Sequence, residues 1–346
     1  MKITVDTLGG QFSFECAPTE RILYAALCHG LSVPYECATG TCGTCRGRVT
    51  QGGVDVEWDA APGFARLKRE KGDVLMCQAR PTADCVLRIP ANVAGEPNPN
   101  PPEYRTGRIV EMRGLTDDVL HFEVSLSQPM SFDAGQFVVL ETKDVRGGRA
   151  YSIVNFGRAV DRISLLVKQK PGGRFSDWLF QGDVCHREIN VFGPLGRATF
   201  HPEERRNLLC IAGGSGIAGM LSILEHAMQV KHFTDHSGHV FFGVRTLADG
   251  FYLEELSAYA TAAHGNLEVT LALSHEAPAA RVHGQFPRIR LMHGMVGDVA
   301  AQAMMGRYDN VVGFIAGPPP MVDGALNTLL REARVPRQYV RYDKFS

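Results

Sequence analysis

Apolar and polar positions alternate through the N-terminal segment. Ile3 and Val5, then Phe12, Phe14 and Cys16, share one face on either side of Gly9-Gly10, a spacing that predicts a β-hairpin. The period then lengthens. Ile22, Leu23, Ala26 and Leu27 fall on one helical face, with Thr19 as the expected N-cap and Gly30 as the stop. Between Asn92 and Glu103 the periodicity vanishes in NVAGEPNPNPPE, where repeated proline blocks helix and ladder pairing. This stretch is expected to be a semi-rigid linker rather than a long loop within one domain. From Arg105 to about His201, short alternating runs separated by turns predict a small antiparallel barrel. From Arg205 onward, strand-like runs at Asn207–Ala212, His239–Gly243, Leu267–Leu273, Val311–Ile315 and Tyr339–Tyr342 alternate with helical ones, the pattern of a parallel sheet with crossover helices.

Length supports this division, because one core rarely serves all of a 346-residue chain. Domains are expected at 1–91, 104–204 and 205–346, with 92–103 between them. The net charge of −1 gives no general attraction to nucleic acid or an anionic membrane. No run approaches the ~20 apolar residues of a membrane span, and the N-terminus lacks a signal-peptide plan. A cytoplasmic location is therefore expected. Thiols stay reduced there, so the nine cysteines are read first for metal or catalysis.

Cys37, Cys42 and Cys45 stand as C-x4-C-x2-C, and Cys77 follows. Four thiolates suit a [2Fe–2S] cluster, two per iron, and this is the plant-type spacing. The small residues from Ala38 to Thr44 let a loop wrap a cluster and turn N–H groups towards its sulfurs. A zinc site would show paired short-spaced cysteines, and Cys77 has no such partner. Cys28 and Cys210 sit in apolar runs and are expected to be packing residues.

Arg149-Ala150-Tyr151-Ser152 follows a strand-like run. It offers a guanidinium for a phosphate, a ring to stack on a flavin and a hydroxyl near the flavin's reactive nitrogen. Val167 and Lys168, before the next glycine turn, are further cofactor-binding candidates. Downstream, Gly173-Arg174-Phe175-Ser176 opens a helix, which suits a pyrophosphate. Gly213-Gly214-Ser215-Gly216 joins a strand to a helix, again a phosphate geometry. Arg245 and Asp249 follow the next strand, where an adenosine ribose is read. Gly317-Pro318-Pro319-Pro320-Met321 is a further turn after a strand. His232, His236 and His239 lie close together in sequence and are expected to belong to a solvated loop. His121 carries no signal.

Together these motifs resemble the ferredoxin–NADP reductase superfamily. YECATGTCGTCRG with LMCQ looks like a fused ferredoxin domain, RAYS and GGRFS like the flavin elements, GGSGIAGM like the nucleotide turn, and AGPPPM like the turn beside the nicotinamide. Two positions depart from that pattern: Gly219 stands where proline is usual, and Ala316 where cysteine is. The resemblance spans nearly the whole chain and is to reductase components of bacterial multicomponent oxygenases. It implies a multidomain fold combining α+β, all-β and α/β parts: a β-grasp ferredoxin domain, an antiparallel flavin-binding barrel and a parallel-sheet nucleotide domain. It implies a [2Fe–2S] cluster on the four cysteines, FAD, and NADH rather than NADPH. It further implies that Asp343 and Phe345 of the C-terminus lie by the flavin with Tyr151 and Ser152. The expected activity is electron transfer from NADH through FAD and the cluster to a terminal hydroxylase. The expected protein is a monomer that serves a di-iron monooxygenase, or a Rieske-type dioxygenase directly or through a separate Rieske ferredoxin. Another iron-dependent acceptor enzyme stays open as the partner.

Overall fold

The computed structural model describes residues 1–95, 98–277 and 286–345; residues 96 and 97 of the expected linker and Ser346 lie outside them. Three sheets follow one another along the chain.

The first contains β1 (Lys2–Thr7), β2 (Gly10–Glu15), β3 (Arg46–Gln51), β5 (Asp73–Leu75) and β7 (Cys85–Arg88), in the order β2-β1-β7-β3-β5. β4 (Val54–Val56) and β6 (Ala79–Pro81) form a separate pair. β1 and β2 are the expected hairpin, with Ile3 opposite Phe14 and Val5 opposite Phe12. β1 runs parallel to β7, and helix α1 (Ile22–Cys28) packs across the sheet, the β-grasp arrangement. Gly30 ends α1 as expected, in a left-handed conformation with its N–H on the Leu27 carbonyl. Thr19 is not the cap. It lies in the preceding turn, and Arg21 takes the N-cap position with extended backbone and no side-chain cap.

The second sheet is antiparallel, in the order β11-β10-β13-β8-β9-β12. Its strands are β8 (Glu103–Thr116), β9 (Val119–Met130), β10 (Phe137–Thr142), β11 (Val145–Ser152), β12 (Val160–Lys168) and β13 (Glu188–Leu195), with α2 (Arg174–Gln181) before the last. Its edge strands meet at an Ile153–Leu165 bridge, and this curls the sheet into a barrel. Glu103, the last residue of the expected linker, already pairs within β8. Val93 is buried and Gly95 bridges to Leu31, so the start of that stretch packs on the first domain.

The third sheet is wholly parallel, in the order β17-β16-β15-β14-β18-β19. It holds β14 (Asn207–Gly213), β15 (Gly238–Val244), β16 (Leu267–Leu273), β17 (Ile289–His293), β18 (Val311–Gly317) and β19 (Val340–Lys344). The helices are α3 (Ile217–Gln229), α4 (Leu253–Ala262), α5 (Val296–Ala303) and α6 (Pro319–Asn327). The edge strand β17 has no counterpart in the sequence expectation. The strand order reverses between β14 and β18, which makes their C-terminal ends a topological switch point. Among the described residues no helix is long and apolar enough to cross a membrane.

The histidine segment is not a solvated loop. His232 and His239 are buried; His232 Nε2 lies 2.8 Å from the Arg206 carbonyl, and His239 faces Glu268 and Arg307. Burial is the main cause that lowers the His232 imidazole below its ordinary pKa. Cys210 is buried as expected, whereas Cys28 is half-buried with its thiol on the Pro102 carbonyl.

Candidate functional site

A cleft of about 790 Å³ opens where the three domains meet. Its barrel wall carries Arg149 to Ser152 at the end of β11, Leu166 and Lys168 of β12, and the turn from Gln169 to Ser176 that starts α2. The parallel sheet contributes Ser215 and Ala218 at the start of α3, and Tyr342 to Phe345 from its last strand. The ferredoxin domain adds Glu36, Cys37, Thr39, Thr41, Trp58 and Pro62.

Most of the expected flavin residues therefore converge on one cavity. Val167 does not. It is buried in the barrel core, while its neighbours Leu166 and Lys168 line the cleft. Tyr151 packs edge-on to Phe122 and tilted to Phe175, with ring centroids 6.2 and 5.6 Å away. Burial pushes its phenol pKa up, so the hydroxyl stays protonated. Ser176 braces the turn: its hydroxyl donates to the Gly173 carbonyl at 2.9 Å and accepts from the Lys170 N–H at 3.2 Å. Among the described residues neither Arg149 nor Arg174 has a carboxylate partner, although both line the cleft; Arg149 donates to the Gly148 carbonyl. A guanidinium on β11 and another at the start of α2, neither paired with a carboxylate, suit a pyrophosphate, which is what FAD presents.

The C-terminal segment closes the cleft. Asp343 and Phe345 both line it, and the Phe345 N–H is held by the Gly317 carbonyl. Burial, with Glu36 adding to it, raises the Asp343 carboxyl to about 7. Lys344 is tied to Asp323 at 2.6 Å.

At the switch point the glycines have a steric reason. A Cβ on Gly216 would collide with the Ala316 carbonyl, and one on Gly317, at φ +150°, would meet Met321 and the Gly213 backbone. The backbones after β14 and β18 thus approach closely, with Pro318 and Pro319 opening α6. Despite Gly219, α3 begins in place at Ile217. A Cβ at Gly219 would touch Ser152 and the Gly135 carbonyl at ordinary distance. Beyond β15, Arg245 donates to Asp249 at 2.8 Å. The other Asp249 oxygen accepts from the Thr246 N–H and hydroxyl, forming a capping box.

The four cysteines group two by two. The Cys42 N–H lies 3.4 Å from the Cys37 sulfur, and the Cys45 and Cys77 sulfurs are 3.2 Å apart. The N–H groups of Thr39 and Cys42 point at the Cys37 sulfur, and that of Thr44 at Cys42. Among the described residues no three ligating side chains gather round a single ion position. Two thiol pairs with N–H groups turned inward fit a binuclear cluster better than a mononuclear zinc.

Residues that the sequence reading missed include Glu36, Trp58, Leu166 and Lys170. Glu36 lies inside the cysteine motif but carries no ligating chemistry of its own, while Trp58, Leu166 and Lys170 lack a local motif and reach the cleft only through the fold.

Known families match in the same order along the chain. The 2Fe-2S iron-sulfur cluster binding domain matches residues 5–82, the oxidoreductase FAD-binding domain 106–200, and the oxidoreductase NAD-binding domain 210–326. Among curated relatives, the ferredoxin–NAD(+) reductase component of the alkene monooxygenase system of Xanthobacter autotrophicus is 36% identical, over 96% of this chain and 98% of the relative. The ferredoxin–NAD(P)(+) reductase CarAd of Metapseudomonas resinovorans is 32% identical, over 97% of this chain and 98% of that one. A solved ferredoxin reductase of carbazole 1,9a-dioxygenase superposes with a TM-score of 0.86 at 29% identity, covering 100% of this chain and 99% of its own. With three cofactor domains in this order and relatives matched from end to end, the chain belongs to the reductase components of multicomponent oxygenases, oxidoreductases of the ferredoxin–NADP reductase family that carry a [2Fe–2S] cluster, FAD and a nicotinamide nucleotide.

Proposed function

We propose that this reductase takes electrons from NADH and passes them one at a time from its cluster to the terminal component of a multicomponent monooxygenase. The observation that carries the reading is the shared cleft. Ser215 of the nucleotide domain, Tyr151 of the barrel and Cys37 of the cluster loop line one cavity, so the three redox sites are neighbours. A flavin bound there supplies the conversion of a two-electron hydride into single electrons for the cluster.

The chain's residues divide that task. Arg149 and Arg174 hold the FAD pyrophosphate with the N–H groups at the start of α2. Ala150, Tyr151 and Ser152 line the ring, backed by Gly173, Phe175 and Ser176, and Phe345 and Asp343 shield it from the nicotinamide side. Gly213 to Gly216 hold the dinucleotide phosphates at the start of α3. Gly317, Pro318, Pro319 and Met321 form the wall across the switch point. Cys37 with Cys42 holds one iron, and Cys45 with Cys77 the other. The working units are 1–91, 104–204 and 205–346, with 92–103 connecting the first two.

The alkene, xylene, phenol and propane monooxygenase names of several relatives favour a monooxygenase acceptor; the carbazole dioxygenase neighbour keeps a Rieske-type system as a second reading. The reductase acts as a cytoplasmic monomer in this account.

Steady-state assays test it. The native protein should reduce both ferricyanide and a one-electron acceptor protein with NADH. Cys42→Ala should keep the ferricyanide reaction and lose the protein one. Equal loss of both would contradict the order nucleotide, flavin, cluster.

A further inference from the structure

Arg21 and Tyr24, about one helical turn apart at the start of α1, stand between the cluster loop and the barrel. The Arg21 side chain is 5% exposed. It meets Glu57 of its own domain at 2.9 Å and Glu141 of β10 at 2.5 Å, the latter as an ion contact without hydrogen-bond alignment. Glu57 also takes Arg80 at 3.1 Å, and its carbonyl accepts from Arg146 of β11 at 2.6 Å. Burial alone would push the Glu57 carboxyl up; the Arg21 hydrogen bond and the nearby arginines hold it below its ordinary range.

Tyr24 is fully buried. Its ring stacks on Phe192 of β13, with centroids 4.1 Å apart and planes 8° from parallel. Its hydroxyl donates to the Ala38 carbonyl at 3.0 Å. Ala38 directly follows Cys37 and sits at φ +56°, a conformation that needs such support in a residue with a Cβ. The next contact reaches the other thiol pair: the Leu23 N–H donates to the carbonyl of Met76, the neighbour of Cys77, and the Met76 N–H donates to the Cys45 carbonyl.

One helix start therefore holds both halves of the ligand set and two strands of the barrel. The contact between domains is not a wet hinge. Phe137, Val139, Phe192 and Leu195 of the barrel belong to the same apolar core as the ferredoxin domain. A buried guanidinium is costly unless paired, so the contact of Arg21 with Glu141 across the boundary favours this docked arrangement.

We infer that Arg21 and Tyr24 are positioning residues that lock the cluster loop to the flavin barrel, so that the cluster receives its electrons in this docked arrangement without its domain swinging away. The inference rests on the reading that the cleft holds FAD and the four cysteines the cluster.

Glu141→Ala is the sharpest variant, because it removes the charged barrel partner of Arg21 and leaves every contact within the ferredoxin domain. Tyr24→Phe removes only the hydroxyl that holds Ala38. Native iron content and an unchanged EPR line shape after dithionite establish that each variant keeps its cluster, and native NADH–ferricyanide turnover shows that nucleotide and flavin work. Loss of either signal in the native protein would sink the underlying reading instead. In Glu141→Ala, freeze-quench EPR should show cluster reduction by NADH slowed at least about tenfold, as small misplacements do. Small-angle scattering should show a broader domain arrangement. Cluster reduction at the native rate in both variants would overturn the inference.

Discussion

Arg245 is tied to Asp249 at 2.8 Å, and Asp118 of the barrel lies 3.9 Å from the same guanidinium nitrogen. The end of β15, where the adenosine ribose is expected, therefore carries a neutralised arginine rather than a free phosphate clamp. Asp249 in turn has one oxygen committed to capping Thr246. A 2′-phosphate would have to break this pair, whereas a ribose hydroxyl would not. NADH should be favoured over NADPH by at least about tenfold in kcat/KM. Arg245→Ala should lower NADPH use more than NADH use, and Asp249→Asn should narrow the preference by freeing Arg245. Steady-state ferricyanide reduction with both nucleotides measures it, and equal or better turnover with NADPH would refute the preference.

Flavin retention should depend on Arg149 and Arg174, neither of which is paired with a carboxylate among the described residues. Each charged hydrogen bond to a phosphate contributes about 1.5–3 kcal/mol, so Arg149→Ala should weaken FAD binding roughly tenfold to a hundredfold. Fluorescence titration of the flavin-free protein reads the loss. The cofactor extracted from the native protein should be FAD at about one per chain. FMN in the extract would contradict the pyrophosphate cradle.

The paired thiols predict metal content. Native protein should hold about two irons and two sulfides, and Cys77→Ala should lose the cluster while keeping FAD. Elemental analysis with the visible spectrum decides this. Stoichiometric zinc without iron in protein purified anaerobically would contradict the two-by-two grouping.

His232 gives stability a pH dependence of known sign. Burial lowers its folded pKa below the ordinary 6.5, the Arg206 carbonyl partly opposes this, and His236 and Asp235 act in opposite directions beside it. The unfolded chain thus binds the proton more readily. The contribution is complete above about 6.5 and is lost as pH falls from there towards the folded pKa. His232→Gln should show a smaller drop in Tm than the native protein between pH 7 and 5.5. Parallel Tm curves for the two proteins would remove His232 as a source.

The sequence disclosed those parts of the site whose chemistry lies in consecutive residues. The spacing of Cys37, Cys42 and Cys45 and the runs at Arg149 to Ser152 and Gly213 to Gly216 are local because a loop or turn must present them together. The lock between Arg21 and Glu141 was not legible, since 120 residues separate the partners and neither carries a motif. Thr19 reads as the cap because capping is read from residue type, whereas the helix starts after Arg21, whose side chain pairs with Glu57 and Glu141 instead of capping. The histidine segment misled through its polarity: the fold buries His232 and His239 by giving each a partner. The strand β17 is short and its arginine interrupts the apolar run, so its pairing with β16 supplies what local pattern could not.

The most direct test of electron flow is rapid anaerobic mixing with NADH, followed by flavin absorbance and freeze-quench EPR on the same samples. Flavin absorbance should bleach first and the rhombic signal of a reduced [2Fe–2S] cluster should follow in native protein, while Cys77→Ala should bleach and give no such signal. A native protein whose flavin bleaches fully while its intact cluster stays oxidised would contradict it.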